Sequence, residues 1–421
     1  MPILLMPSVL LLVGLIGLAF TYNAFYPRYA PANVAMVSFF SGWLVAELAL
    51  HIALLHATIV ALLVWRGALA TWPGELGLGL SVVSWFFLWV SWRGGHASGA
   101  VIASALSEAL GDDFEELLVP LPLAEQHVPH PEWRQLAFPL PVTHPHVERT
   151  RDVVYFDDGK LRLKLDVYRR RGVAVDKLAK QPVLLFVHGG GWCIGSKDHH
   201  GLPLLHRFAA RGWVCVSINY RLSPRATFPD HIVDVKRAIA WVREHAGEYG
   251  ADPGFIVVSG GSAGGHLASL AALTPGRAEL QPGFAQADTS VAACVSFYGI
   301  YDFTDRHGHW PNPGLDQLLQ GLVLKVKRKD APEAFAAASP ITYLDEKAPP
   351  FLLVHGDRDS LVPVKEGRAF YAALREVSQA PCAYFEIPGA QHAFEIFPSP
   401  RTLHVLRGVE QFLDFVHSRY A

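Results

Sequence analysis

The first 92 residues of this 421-residue chain carry almost no charge, and this constrains the fold more than any other feature. Across the whole chain 18% of residues are charged, whereas the only Asp, Glu, Lys or Arg residues at positions 1–92 are Arg28, Glu47, Arg66 and Glu75. Three apolar segments occupy this region, at about residues 3–20, 34–65 and 76–92. A membrane-spanning helix needs about 20 apolar residues. The composition therefore predicts a transmembrane helical region over residues 1–93, with two or three spans.

Polar groups inside the second apolar segment leave two interpretations open. Glu47 and His51 are four residues apart, which places them on one helical face, and His56 follows them. We interpret Glu47 and His51 as a neutral, hydrogen-bonded polar pair that stabilises helix packing, with a functional intramembrane site as the alternative. For the region as a whole, a hydrophobic helical hairpin packed on a soluble domain is the alternative to an anchor.

Single arginines in the connecting stretches indicate an orientation. With three spans, Arg28 and Arg93 share one side of the membrane and Arg66 lies on the other. The positive-inside rule then favours a cytoplasmic C-terminal domain.

Residues 94–150 differ from the segments before them. Seven prolines between Leu117 and Pro145 preclude a long helix there. We predict a proline-rich connector that is extended and wraps the next domain.

The composition of the whole chain excludes two classes of protein. Its 51% content of hydrophobic residues excludes a disordered chain, and its net charge of -2 disfavours a nucleic-acid partner.

From residue 151 to 421, short β-rich runs alternate with amphipathic helices. The predicted strands are 163–168, 183–187, 214–218, 255–259, 291–297, 351–354 and 383–387, and the predicted helices are 204–211, 232–245, from 263, 364–377 and 403–418. Continuous apolar strands separated by helices indicate an α/β domain with a mostly parallel sheet covered on both faces. Residues 302–339 interrupt the alternation, and we predict that they form a cap over a site.

A strand, a Gly-x-Ser-x-Gly motif and a helix follow one another at residues 255–268. A serine on a sharp strand-to-helix turn needs neighbours without Cβ atoms, which explains Gly260 and Gly264. Such a turn presents the Ser262 hydroxyl beyond the sheet and points the backbone N–H of Ala263 at the same space. The motif therefore predicts Ser262 as a nucleophile.

A serine hydroxyl is a weak nucleophile that needs a general base, and the base needs an acid to orient it. In α/β hydrolases these residues follow in the chain order Ser, Asp, His. Asp359 comes after the predicted strand 351–354, and His392 comes after the predicted strand 383–387. Both therefore lie at the carboxyl edge of the sheet, where open α/β sheets place their sites. We predict His392 as the base and Asp359 as its partner, in preference to Asp357, which we expect to hydrogen-bond within its loop.

Three consecutive glycines follow the predicted strand 183–187, in the run His188-Gly189-Gly190-Gly191-Trp192. Glycines let backbone N–H groups approach a substrate oxygen, and HGGG loops form the oxyanion hole of esterases. An oxyanion site, a nucleophile, an acid and a base together predict acyl transfer through a Ser-His-Asp triad and an acyl-enzyme.

Several motifs of the C-terminal region are similar to those of one known family. They are His188-Gly189-Gly190-Gly191-Trp192, Asn219-Tyr220-Arg221-Leu222-Ser223-Pro224, Ala251-Asp252-Pro253, Gly260-Gly261-Ser262-Ala263-Gly264-Gly265, Asp359-Ser360-Leu361-Val362-Pro363 and His392-Ala393-Phe394. In combination they resemble the hormone-sensitive-lipase-like branch of the α/β-hydrolase carboxylesterases. The N-terminal region resembles that of bacterial, mycobacterial-type membrane-associated lipases and esterases, which would place the chain at a bacterial inner membrane.

This resemblance implies hydrolysis of short- to medium-chain carboxylic esters, with a lipid-like small molecule as substrate and with no cofactor or metal. It also implies that the backbone N–H groups of Gly190, Gly191 and Ala263 form the oxyanion hole. Arg221 and Asp234 are expected to form a structural ion pair. An amidase or arylformamidase with the same triad, and a non-catalytic binder on a hydrolase scaffold, remain as alternatives.

Overall fold

The computed structural model describes residues 5–119, 132–173, 175 and 180–420. Within these ranges the strands are β1 Val147–Asp157, β2 Arg162–Arg170, β3 Gln181–Val187, β4 Val214–Ile218, β5 Ala251–Gly261, β6 Ala293–Phe297, β7 Phe351–Gly356 and β8 Cys382–Ile387. The N-terminal helices are α1 Leu5–Phe25, α2 Ala32–Glu47, α3 Ala49–Trp65, α4 Trp72–Gly95, α5 Ser98–Leu110 and α6 Glu132–Ala137. The remaining α-helices are α7 Leu202–Ala210, α8 Asp230–His245, α9 Ala263–Leu273, α10 Gly314–Leu318, α11 Pro332–Ala337, α12 Val364–Val377 and α13 Pro400–Tyr420.

All eight strands form one sheet in the order β1-β2-β4-β3-β5-β6-β7-β8. Strand β2 is antiparallel to both β1 and β4, and every other neighbouring pair is parallel. The predicted mostly parallel sheet is therefore confirmed. Its parallel strands end at one edge, where the loops after β3, β5, β7 and β8 come together.

Helices cover the sheet on both faces, as the side chains of β3 illustrate. Leu185 and Val187 pack into the core that includes α8 and α9, whereas Leu184 and Phe186 pack into the core that includes α7 and α13. This alternation follows from the two-residue period of a strand, and it is typical of a sheet buried on both sides. The result is the α/β-hydrolase fold that the sequence predicted.

The N-terminal helices differ in part from the predicted segments. Helix α1 and the segment Trp72–Leu110, which comprises α4 and α5, are each long and apolar enough to span a membrane. Helices α1 and α4 run in parallel and pack closely, because a Cβ atom at Gly14 would lie 2.4 Å from the carbonyl oxygen of Gly77. The segment predicted as one run over residues 34–65 is instead divided into α2 and α3, which are bent by 94°.

The predicted extended connector does not hold for residues 98–110, which form α5. Ile102 and Leu106 are buried four residues apart on this helix, and its Ile102 packs closely against Gly408 of α13. Much of the predicted proline-rich stretch, residues 120–131, lies outside the described residues. The segment predicted as a cap contains α10, a π-helical turn at Leu319–Val323 and α11, and its Leu318 side chain lies 3.4 Å from the position of a Cβ atom at Gly191.

Candidate active site

The turn between β5 and α9 holds Ser262 in a strained backbone conformation. Its φ is 58° and its ψ is -121°, a region that few residues with a side chain adopt. Its backbone N–H donates to the carbonyl oxygen of Phe297 at the end of β6, at 2.9 Å. A Cβ atom at Gly260 would lie 2.4 Å from the oxygen of Gly264, and one at Gly264 would lie 2.0 Å from the oxygen of Val187. Only glycines fit at these two positions, so the turn has the tight geometry that the motif predicted.

A buried hydrogen bond joins the loops after β7 and β8. The Nδ1 atom of His392 donates to Oδ2 of Asp359 at 2.6 Å, and both side chains are almost fully buried. The other oxygen of Asp359 accepts backbone hydrogen bonds from Leu361 and Val362, at 2.9 and 2.8 Å. The carboxylate of Asp357 instead accepts from the backbone N–H of Gly389. Of the two aspartates, Asp359 is thus the one that contacts the imidazole.

Electrostatics keeps the Asp359 carboxyl group ionised. Burial alone raises its pKa, but the imidazole of His392, by charge and hydrogen bond, and that of His355 hold the pKa well below its ordinary value. Nε2 of His355 lies 3.3 Å from Oδ2 of Asp359. A permanently charged acceptor fixes the tautomer of His392 with its proton on Nδ1, which leaves Nε2 free to accept a proton.

The side chain of Gln391 fixes the loop after β7, which carries Asp359, relative to the loop after β8, which carries His392. Oε1 of Gln391 accepts from the backbone N–H of Ser360 at 2.6 Å and from that of His392 at 2.9 Å. Sequence reasoning gave this residue no role, because a lone glutamine beside a histidine carries no pattern of its own.

Tyr298 contacts both the serine turn and the histidine. Its ring centroid lies 4.5 Å from that of His392, and its hydroxyl lies 2.8 Å from the position of a Cβ atom at Gly261. Within the described residues no hydrogen bond joins Ser262 Oγ to His392 Nε2. Catalytic hydrogen bonds in enzymes without substrate are often longer than in the Michaelis complex. The Tyr298 side chain thus adjoins both the serine turn and the imidazole of His392.

The glycine loop after β3 leaves backbone donors free beside the serine. Gly190 has a φ of 116°, and a Cβ atom there would lie 2.1 Å from the oxygen of Ile194. Across the described ranges, no protein acceptor is bonded to the backbone N–H of Gly190, Gly191 or Ala263. Gly189 is in contact with the serine turn, because a Cβ atom there would lie 3.2 Å from Cβ of Ser262. Free N–H groups on both sides of a serine form a site that can bind a developing oxyanion.

Buried aromatic and imidazole groups hold the glycine loop in place. Tyr220 stacks on His188 with ring centroids 4.4 Å apart, and its hydroxyl donates to the carbonyl oxygen of His188. The indole N–H of Trp192 donates to Nδ1 of His266 at 3.2 Å. Burial lowers the pKa of His188 to about 4, so this ring is neutral at pH 7. These contacts explain why the motif residues that flank the glycines are aromatic or histidine.

The ion pair predicted behind the serine turn is present. Nε of Arg221 lies 2.8 Å from Oδ2 of Asp234, which is fully buried. Among the residues that the structure describes, no group of three or more His, Cys, Asp or Glu side chains has the arrangement of a metal site.

Two residues near His392 come from a helix that sequence reasoning assigned to the membrane region. The ring of Phe39 in α2 meets the imidazole edge-on at 6.0 Å, and the indole N–H of Trp43 donates to the carbonyl oxygen of Ala393 at 2.9 Å. Hydrophobicity alone does not distinguish a helix that faces lipid from one that faces a catalytic loop, so the sequence offered no signal for these contacts.

Comparison with known proteins gives consistent results. The BD-FAE family matches residues 165–374. A protein of Mycobacterium tuberculosis described as the probable carboxylic ester hydrolase LipM is 39% identical over 97% of this chain and 93% of its own length. The esterase LipQ of the same organism is 43% identical over 78% of this chain and 77% of its own length.

A solved structure extends the likeness to the fold. An esterase of Thermogutta terrifontis, Est2, is 29% identical, covers 63% of this chain and 90% of its own, and superposes with a TM-score of 0.52. The match to LipM over almost the whole of both chains shows that this chain belongs to the hormone-sensitive-lipase-like α/β-hydrolase carboxylic ester hydrolases, the family of mycobacterial LipM, LipQ and LipC.

Proposed function

We propose that Ser262, His392 and Asp359 are the catalytic triad of this carboxylic ester hydrolase. The observation that carries the proposal is the 2.6 Å hydrogen bond between His392 and Asp359, which lies beside a strained serine turn and a loop with free N–H groups. Nε2 of His392 accepts the proton of the Ser262 hydroxyl as Oγ attacks the ester carbonyl carbon. The carbonyl π electrons move to oxygen, and a tetrahedral oxyanion forms.

The backbone N–H groups of Gly190, Gly191 and Ala263 bind this oxyanion. A helix N-terminus adds to the effect, because Ala263 is the first residue of α9 and its N–H group lies at the positive end of the helix dipole. Collapse of the intermediate breaks the bond to the alcohol oxygen, which takes the proton from His392. Water then attacks the acyl carbon as His392 removes its proton; the bond from the acyl carbon to Ser262 Oγ breaks, Oγ takes that proton from His392, and the carboxylic acid leaves.

Short- to medium-chain carboxylic esters are the proposed substrates. Support comes from Est2 of Thermogutta terrifontis, which has been solved with propionate and with butyrate bound. The cap residue Leu318, close to the glycine loop, would limit the space beside the oxyanion site. A series of p-nitrophenyl esters from acetate to palmitate measures this preference directly, and a kcat/KM that rises steadily to palmitate would contradict it.

The N-terminal helices are proposed to anchor the enzyme in the bacterial inner membrane, with the catalytic domain in the cytoplasm. Helices α1, α3 and α4 expose large apolar side chains, among them Leu54 at 70% and Trp72 at 69% exposure, which favours contact with lipid. Arg28 follows α1 and Arg93 lies in the last turn of α4, whose C-terminal ends contact Arg358 and Arg401 of the catalytic domain, and Arg66 follows the last residue of α3. Activity that stays in the supernatant after ultracentrifugation of lysed cells would contradict the anchor.

Replacement of Ser262 by alanine tests the catalytic assignment. We expect kcat to fall by roughly 10⁴- to 10⁶-fold, with unchanged circular dichroism, because only the nucleophile is lost. Ester turnover that survives the substitution would refute the triad.

A further inference from the structure

Helix α2 packs against the other N-terminal helices and also contacts the catalytic domain. It meets α3 at a 94° bend. Its buried side chains include Phe39 and Glu47, and the hydroxyl of Ser360, next to Asp359 in sequence, donates to the carbonyl oxygen of Ala35. A helix that was predicted as part of a span is therefore a wall of the catalytic site.

The central contact of α2 is with the residue that follows the catalytic histidine. Ala393 has a φ of 58°, a left-handed conformation that costs free energy for a residue with a Cβ atom. The indole of Trp43 donates to its carbonyl oxygen at 2.9 Å and packs against Phe397, with ring centroids 4.9 Å apart. Phe39, stacked on Trp43, touches the imidazole of His392. The backbone on which the imidazole depends is thus held by a side chain of α2.

Further hydrogen bonds link the loop at residues 388–399, which carries His392, to the N-terminal helices. Nε of Arg401 donates to the carbonyl oxygen of Pro388 at 2.9 Å, and its Nη1 donates to that of Ala46 at 3.1 Å. At the other end, the hydroxyl of Ser399 donates to Oε2 of Glu47 at 2.5 Å. In the loop from 388 to 399, which carries His392, Pro388 is therefore linked to α2 through Arg401, and Ser399 is bonded to α2 directly.

Glu47 was predicted to pair with His51, and that prediction is wrong. Nε2 of His51 lies 3.1 Å from the carbonyl oxygen of Ala137, while the carboxylate of Glu47 contacts Ser399 and Arg401. The bend between α2 and α3 turns Glu47 away from the face that it would share with His51 in one straight helix. Glu47 thus joins the N-terminal helices to the loop at residues 388–399 that carries His392.

We propose that Trp43 is a positioning residue for His392, so that the N-terminal membrane region is part of the catalytic apparatus as well as an anchor. The inference rests on the proposed function, because it requires His392 to act as the base. Catalytic groups must be held within about 0.5 Å of the productive geometry, and a misplacement of about 1 Å can cost 100-fold in rate. The indole N–H acts on His392 through the backbone of Ala393, so its loss should change the chemical step and leave substrate binding unchanged.

Substitution of Trp43 by phenylalanine in the full-length protein tests this inference. The variant keeps an aromatic ring against Phe39 and Phe397 but lacks the N–H donor. We expect kcat per active site to fall about tenfold, with KM within twofold of the wild type. Active sites are counted by the burst of p-nitrophenol, and the rate of Ser262 labelling by a fluorophosphonate should fall in the same proportion. The matched control is Trp65→Phe, because Trp65 is 76% exposed at the far end of α3 and should not affect kcat.

The possible outcomes are distinguishable from one another. An unchanged kcat in Trp43→Phe would overturn the inference, and so would a loss of activity that is fully explained by fewer titrated sites. If Trp43→Phe does not yield folded protein, Phe39→Leu, which removes the ring that touches the imidazole, is measured with the same readouts and the same criteria. Retained turnover in Ser262→Ala would instead refute the proposed function, whatever the result for Trp43.

Discussion

Replacement of Gly264 by alanine should move the glycine loop, with the N–H groups of Gly190 and Gly191, away from the N–H group of Ala263. A Cβ atom at this position would lie 2.0 Å from the carbonyl oxygen of Val187 and 2.7 Å from that of His188. Ordinary van der Waals contact begins at 3.4 Å. Because both obstacles are backbone atoms, no side chain can rotate away, and the end of β3 must move away from α9.

The size of this movement sets the expected loss of activity. The gap between Val187 and the serine turn must widen by about 1.4 Å, and a misplacement of about 1 Å can cost 100-fold in rate. The glycine loop follows β3 directly, so the N–H groups of Gly190 and Gly191 would move away from that of Ala263. We expect kcat/KM to fall at least about 100-fold, which corresponds to about 2.7 kcal/mol of transition-state stabilisation. Overpacking should also lower the free energy of unfolding by about 1–3 kcal/mol.

The assay is hydrolysis of p-nitrophenyl butyrate, with the melting temperature measured in parallel. The matched control is Gly247→Ala, since a Cβ atom there meets no heavy atom within 4 Å. A Gly264→Ala enzyme that keeps kcat/KM within threefold of the wild type would refute the idea that the turn and the glycine loop must touch.

Two further predictions concern pH. Because the pKa of Asp359 is held well below its ordinary value, its carboxylate should add no proton to the acid limb of the kcat/KM profile, and a two-proton slope on that limb would contradict its charge state. Burial raises the pKa of Glu395 from 4.5 to about 7. Between these two pH values the folded protein keeps a proton that the unfolded chain has lost, so the free energy of unfolding falls as the pH rises. Glu395→Gln should therefore match the wild type near pH 4.5 and exceed its stability by roughly 3 kcal/mol at pH 8; a difference in melting temperature that does not change with pH would count against this.

The catalytic domain could be predicted in detail because its strands are buried on both faces. Strand β4 and helix α12 begin and end at the residues expected from the sequence. Strand β1 was missed, because Val147–Asp157 is an edge strand with five charged residues and irregular pairing with β2. Edge strands carry charge that prevents association with other chains, and this charge hides the apolar alternation on which sequence reasoning depends.

The order of Ser, Asp and His along the chain led directly to the strained turn of Ser262 and to the two residues that the 2.6 Å hydrogen bond joins, Asp359 and His392. Each of them follows a buried parallel strand, so their convergence depends only on the topology of the sheet. The residues that hold these side chains in position were not predictable in the same way. Gln391 joins the backbone of Ser360 to that of His392, and Tyr298 contacts the serine turn and the imidazole; contacts of isolated residues such as these leave no periodic pattern in the sequence.

The N-terminal region shows the limit of hydrophobicity as a guide. No glycine or proline marks the junction Glu47-Leu48-Ala49 between α2 and α3, so the sequence reads as one apolar segment. The contacts of Glu47 with Ser399 and Arg401 occur at the bend itself. We infer that contacts with residues more than 350 positions away in sequence determine where helix α2 ends.

Covalent labelling tests the triad most directly. The full-length enzyme is treated with a fluorophosphonate, digested and analysed by mass spectrometry, alongside His392→Ala. We expect one adduct, on the peptide that contains Ser262, to form rapidly in the wild type and at least about 100-fold more slowly without the imidazole. An adduct on another residue, or labelling of Ser262 at an undiminished rate in His392→Ala, would contradict the central claim that these side chains act in concert.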